Sequence, residues 1–286
     1  MFIQFRPWID CDRNCEFCYQ NSEDRHTPIE EKRHALMILS ATIHNTVVGC
    51  DTIGLIGGEL FSFKGLYREW MCVAETIRNT GDVKKVYIAS HLIGDIEDLL
   101  DFAGMLNKEV WICTSYDSSD RFRDEHEYNT WLENIKACQK EGHKVVVNAV
   151  LSNEFIHDDK FVVPEGVDFK LQAYFAGERW LYGEYEKDVS TAEYNEDLKQ
   201  KISNLPSRSE VLKWYMDHPE VAKDYATYDG KHCTQLWDYD TKSKKYYPSD
   251  FICMSYIADC GHPYLAYCYS DSDKCTMCDA RRTIDG

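Results

Sequence analysis

Three cysteines fall within eight positions near the start of the chain, in the stretch DCDRNCEFCYQN (residues 10 to 21). Thiolates set this closely act together, on a metal, on each other or in reaction. Cys11, Cys15 and Cys18 follow a CxxxCxxC spacing, so one loop wraps a single small inorganic group. Structural zinc takes four protein ligands, and the nearest further donor, His26, stands eight residues on across a polar stretch. Three thiolates suit a [4Fe-4S] cluster with one iron left open as a reaction site.

A second group of candidates stands near the ends of apolar runs. Gly57, Gly58 and Glu59 in GGELF pair residues that let backbone approach closely with a carboxylate that accepts from an ammonium. Ser90 and His91 end one run, and Ser115 and Asp117 open TSYDSSDRF; hydroxyl and carboxylate groups suit a diol, although turn and cap chemistry accounts for each taken singly. Asn148 interrupts KVVVNAVL with a side chain that needs a partner wherever it is buried. Cys113 shares a strand face with Ser115, two positions on. A free cysteine ordinarily packs as a small hydrophobe, and Cys50, Cys72 and Cys138 are read that way.

The elements that must hold these residues alternate in type. Strands are expected at 2–5, 52–57, 85–90, 109–115, 144–151 and 168–175, with helices at about 28–45, 66–80, 95–107 and 127–141. Such alternation builds a parallel sheet covered by helices. Thr27, Pro28 and Glu30 read as an N-cap, a first helical residue and a capping box. Residues 6 to 26 then form a long loop at the carboxyl end of the first strand, where parallel sheets place their sites.

Taken together, the cysteine spacing, the aromatic Phe17 just before the last cysteine, the GGE after the second strand and the order of elements resemble the radical S-adenosylmethionine (SAM) superfamily over roughly residues 1 to 180. The resemblance implies an α/β fold, a partial (β/α)6 TIM-like barrel open on one side. It implies that Cys11, Cys15 and Cys18 hold a catalytic [4Fe-4S] cluster and that SAM chelates its open iron. Gly57, Gly58 and Glu59 would receive the amino group of SAM, with Phe17, Ser90, Ser115, Asp117 and Asn148 as further cofactor contacts. A one-electron reductant such as flavodoxin or ferredoxin would drive cleavage of SAM to a 5'-deoxyadenosyl radical, which takes hydrogen from a substrate. Cys113 would then be placed to return a hydrogen atom, as a thiol does in epimerases of the superfamily. Tyr19, Tyr116, Tyr174 and Arg179 lie near expected strand ends, within range of a substrate but ordinary structural residues when taken alone.

Three segments are expected: a barrel over 1–185, a helical linker over 186–228 with helices at about 191–203 and 207–226, and a cysteine-rich unit over 229–286. Six of the thirteen cysteines fall in the last 54 residues, where few aliphatic side chains are available for a core and a metal staple would compensate. Cys233 and Cys253 bracket an expected hairpin (QLWDYDTKSKKYYPSDFI), and Cys275 and Cys278 form a CxxC pair. This arrangement is similar to the twitch domain, a shortened SPASM domain, which implies a second [4Fe-4S] cluster on those four residues. Cys260 or Cys268 could replace one of them, and CxxC pairs serve zinc as well.

Composition bounds the rest. A 286-residue chain with 44% hydrophobic and 28% charged residues supports a substantial core. Without a signal peptide or a long apolar run, the expected setting is cytoplasmic, with no membrane partner and reduced thiols. A net charge of −17 disfavours a broad nucleic-acid footprint. The expected substrate is a peptide or small molecule, although the ten residues before Cys11 leave no room for a leader-binding module at that end. A nucleoside or modified base is the alternative. A non-enzymatic iron-sulfur or zinc protein is another, and it leaves the GGE without a role.

Overall fold

The computed structural model describes residues 2–13, 15, 26–47, 49–118, 121–151, 153–173, 232–256 and 265–269. Six strands run parallel: β1 (Phe2–Arg6), β2 (Thr52–Leu55), β3 (Lys85–Ala89), β4 (Glu109–Tyr116), β5 (Lys144–Leu151) and β6 (Asp168–Ala173). Helices α1 (Ile29–Thr46), α2 (Tyr67–Asn79), α3 (Glu97–Leu106) and α4 (Glu125–Lys140) fill the first four crossovers, and the single turn α5 (Asn153–Ile156) lies in the fifth. This is an α/β partial barrel, as the alternation of patterns requires.

Each helix lies on the sheet by one apolar stripe. Trp70, Val73, Ala74 and Ile77 of α2, and Leu99, Phe102, Ala103 and Leu106 of α3, recur at i, i+3, i+4 and i+7 and are buried. Alternate strand residues meet them from below. In β4, Val110, Ile112, Thr114 and Tyr116 are buried under the helices while Trp111, Cys113 and Ser115 occupy the other, concave face. Lys85 and Lys144 flank the Trp111 ring at 4.7 and 4.6 Å, so cations and an aromatic ring close the amino-terminal end of that face.

The sheet does not end at β1. β7 (His232–Asp240) pairs with β1 in parallel register, and β8 (Lys245–Tyr256) and β9 (Leu265–Tyr269) follow antiparallel, giving the order β6-β5-β4-β3-β2-β1-β7-β8-β9. The expected hairpin is therefore formed, with Phe5 and Tyr246 packed edge to face and the Tyr239 hydroxyl donating to Glu31 of α1. Sheet twist brings β9 back toward β6, with Cα atoms within 8 Å.

Two local expectations are corrected. Helix α1 begins one residue later than its pattern suggests, with Pro28 at the N-cap and no capping side chain; Asp10 takes the Thr27 N–H that the Glu30 side of a capping box would accept from, and Lys32 donates to the Thr27 carbonyl. Cys72 is exposed on the outer face of α2, one position before the buried Val73, and does not pack in the core; Cys50 and Cys138 do. The expected linker helices at 191–203 and 207–226 lie outside the described residues, as do Phe17, Cys18, Tyr19, Tyr174, Arg179, Cys260, Cys275 and Cys278.

Candidate active site

Beyond the ends of β1 and β2, the parallel ladder continues into the loops. Ile56 N–H donates to the Phe5 carbonyl, Gly58 N–H to Trp8 and Glu59 N–H to Asp10, so the GGE segment is zipped to the three residues that lead into Cys11. The glycines are required by this contact. A Cβ on Gly58 would stand 1.8 Å from the Asp10 carbonyl oxygen, and one on Gly57, whose φ is +148°, would stand 2.3 Å from that of Trp8. Two motifs far apart in sequence thereby become neighbours at the carboxyl ends of the first two strands.

Glu59 is 3% exposed. Its carboxylate accepts from the Ser90 hydroxyl at 3.1 Å and the His91 N–H at 2.7 Å, both at the end of β3. Three strands thus converge on one buried carboxyl group. The His91 ring continues the chain of contacts: Nδ1 accepts from the Ile93 N–H, which leaves Nε2 to carry the proton and donate to Asp12 Oδ1 at 2.9 Å. This donor holds the Asp12 carboxyl below its usual range. The turn that presents Ser90 and His91 includes Leu92 in the left-handed region (φ 54°), held by Asn134, whose side-chain amide donates to the Leu92 and Gly94 carbonyls.

The cysteine loop is fastened at both ends and in its middle. Asp10 and Lys32 form an ion pair at 3.3 Å with both side chains 4% exposed, and the ammonium also lies 4.1 Å from the Phe63 ring centroid. Arg13, between the first two cysteines, makes a two-pronged contact with Glu127 at 2.7 and 3.0 Å. Glu127 in turn accepts from the Arg123 N–H and donates its own N–H to Asp124, the N-cap of α4, so the loop is tied to a helix start in a distant part of the sequence. Cys11 and Cys15 are both half-buried. Burial pushes the Cys11 thiol up to about 11, and Glu59, Asp12 and Cys15 add to the rise, so a metal cation is what would hold it as thiolate.

Strand register sets the relative positions of several other expected residues. Ser115 of β4 stands opposite Asn148 of β5, and Cys113 lies between Ala89 of β3 and Val146 of β5, on the concave face below them. Asp117 follows at the mouth, 3.4 Å from Arg121, and burial raises its carboxyl against the pull of that guanidinium. Tyr116 is a core residue: fully buried on the helix side, it bonds Asp158 at 2.6 Å and is not available to a substrate.

The donors present fit an iron-sulfur cluster in kind: two cysteines on a braced loop, beside an acceptor carboxylate suited to an ammonium. Among residues whose side chains are described, no three His, Cys, Asp or Glu groups are gathered as a metal site, and Cys18 is outside them. Asp10, Asp12, Arg13, Lys32 and Glu127 were not expected from the sequence. Only the Asp124-x-x-Glu127 capping pattern gave a local signal.

No protein-family model matches the chain, and no curated protein matches it significantly. Among solved structures it is similar to native anSMEcpe with bound AdoMet, at 12% identity and a TM-score of 0.47 over 64% of this chain and 54% of that one. It is also similar to a polyhistidine-tagged form of anSMEcpe with bound AdoMet, at 12% identity and a TM-score of 0.43 over 59% of this chain and 49% of that one. The chain spans about half the length of the structures it matches.

Proposed function

We propose that this protein is a radical SAM enzyme. The observation that carries the reading is the zipper between the GGE segment and residues 8–10, which sets the buried Glu59 carboxylate directly beside the loop of Cys11 and Cys15. In this reading Cys11, Cys15 and Cys18 hold a [4Fe-4S] cluster, which, when bound, supplies the electron that splits the sulfonium bond of SAM. Glu59 receives the SAM ammonium, and Ser90 and the His91 N–H hold that carboxylate in place. Ser115, Asn148 and Asp117, adjacent at the mouth, supply polar contacts to the nucleoside and methionyl parts. Trp111, Tyr87 and Cys113 line the concave face below, and Cys113 is the thiol set to return hydrogen to a substrate radical. The substrate class is a peptide or small molecule, with flavodoxin or ferredoxin as reductant.

Anaerobic protein loaded with iron and sulfide and given SAM and dithionite is expected to release 5'-deoxyadenosine, and a Cys15→Ala variant is not. No product from a loaded chain, with or without candidate substrates, overturns the reading. A nucleoside substrate is separated by oligonucleotide binding at low salt: retention favours nucleic acid, and none favours peptide or metabolite.

A further inference from the structure

Toward the amino ends of its strands, the concave face carries a group of charged and aromatic side chains that the chemistry above does not use. Three rungs join β3 to β4 in register: Ala89 beside Cys113, Tyr87 beside Trp111 and Lys85 beside Glu109. Alternate residues share a face, so Cys113, Trp111 and Glu109 descend one side of β4 in steps of about 6.6 Å, two residues of parallel strand. The Tyr87 and Trp111 ring centroids are 5.4 Å apart. Lys85 rises from the lowest rung and sets its ammonium 4.7 Å from the Trp111 centroid and 5.9 Å from that of Tyr87. Lys144 flanks Trp111 as well, but Glu109 already pairs with it at 2.9 Å, and the same carboxylate oxygen accepts the Trp111 Nε1–H at 2.8 Å. Lys85 is half-buried and, among the described residues, has no carboxylate at ion-pair distance. Asp168, at the start of β6, pairs with neither lysine. Two ammoniums against one carboxylate leave this group with a positive charge in excess. Aromatic faces offset only part of the hydration that an ammonium gives up, and an anion would offset the rest.

We propose that Lys85 binds a carboxylate of the substrate, with Tyr87 and Trp111 as the walls against which the adjoining apolar part of that molecule lies. One unpaired ammonium suits a monoanion; a phosphate, with three strong acceptor oxygens and nearly two charges, calls for more donors. The rungs also set a length. The Lys85 ammonium stands at the level of Trp111, one step of about 6.6 Å below Cys113. A substrate carbon at the height of that thiol therefore lies roughly five carbon–carbon bonds of about 1.5 Å from the carboxyl group, allowing for the zigzag of the chain. The radical SAM reading leaves the anchoring group and the reach of the substrate open, and Lys85 supplies both. The inference rests on that reading for the chemistry alone, since the binding step needs neither cluster nor SAM.

The full chain is titrated by calorimetry with 4-phenylbutanoate and with the uncharged 4-phenylbutan-1-ol, without added iron or SAM. The acid is expected to bind the wild type at least tenfold more tightly than the alcohol. Lys85→Met should erase that difference and Lys85→Arg should keep it. A second readout needs no variant: in the wild type, saturating acid should slow iodoacetamide labelling of half-buried Cys113 at least threefold and leave exposed Cys72 unchanged. N-Acetylphenylalanine identifies the source of the carboxylate. Tighter binding than 4-phenylbutanoate assigns it to a peptide end and weaker binding to a small-molecule acid, and either supports the anion site. No binding of the acid, equal binding of acid and alcohol, a preference for the acid that survives Lys85→Met, or no protection of Cys113 overturns the assignment. Acid-selective binding by a chain that releases no 5'-deoxyadenosine once loaded leaves this site standing and removes the SAM reading. Release of 5'-deoxyadenosine with equal binding of acid and alcohol does the reverse.

Discussion

Glu59 lies almost wholly out of water, and its carboxyl group accepts from donors on another strand, Ser90 Oγ and the His91 N–H. A buried carboxylate needs hydrogen-bond donors, and one that has them can still accept from a cation. Glu59→Gln preserves shape and removes the charge. A hydrogen bond to a charged group contributes about 1.5–3 kcal/mol, so SAM affinity should fall roughly 10- to 150-fold. Titration calorimetry on the loaded enzyme measures this. An unchanged affinity would remove Glu59 from the SAM site.

At the level of elements, the cysteine loop depends on a helix that lies far from it in sequence. The Arg13 contact holds the Glu127 carboxyl below its usual range around 4.5. Because the folded value is the lower one, the stabilisation is present above that range and is lost as pH falls through the depressed value. The wild type should therefore lose urea stability steeply below about pH 4.5, and Arg13→Ala should flatten that loss. Arg13 and Glu127 are only 10% and 16% exposed, so removing one partner should cost about 3 kcal/mol at neutral pH. Arg13→Lys should recover little of it, since an ammonium cannot match both oxygens. Equal acid slopes in wild type and Arg13→Ala would show that the contact does not form in solution.

For the whole molecule, the tail strands complete the sheet that carries the site. β1 is central, with β2 on one side and β7 on the other, and buried Tyr239 and Tyr246 join its core. Removing residues 229–286 would expose the β7-facing edge of β1, an open template for pairing with other chains. The truncated chain is expected to elute as aggregate in size-exclusion chromatography where the full chain does not. A monodisperse truncated monomer would show that β1 needs no cover. Among the described residues, no helix is long and apolar enough to cross a membrane.

What the sequence determined by itself was periodic or local. Apolar residues at spacing two and at three to four place six strands and four helices within a residue or two of their positions, because those intervals are properties of the backbone. The two glycines and the hairpin were legible from local residue types. Tertiary structure decided the pairings of distant residues: Gly58 against Asp10, Arg13 with Glu127, His91 with Asp12, and β7 alongside β1. It also replaced the Thr27 capping box, since a buried carboxylate from another segment took the Thr27 N–H that Glu30 would have accepted from. Such contacts leave no periodic trace in a single chain; they arise only when the sheet sets the carboxyl ends of its strands side by side.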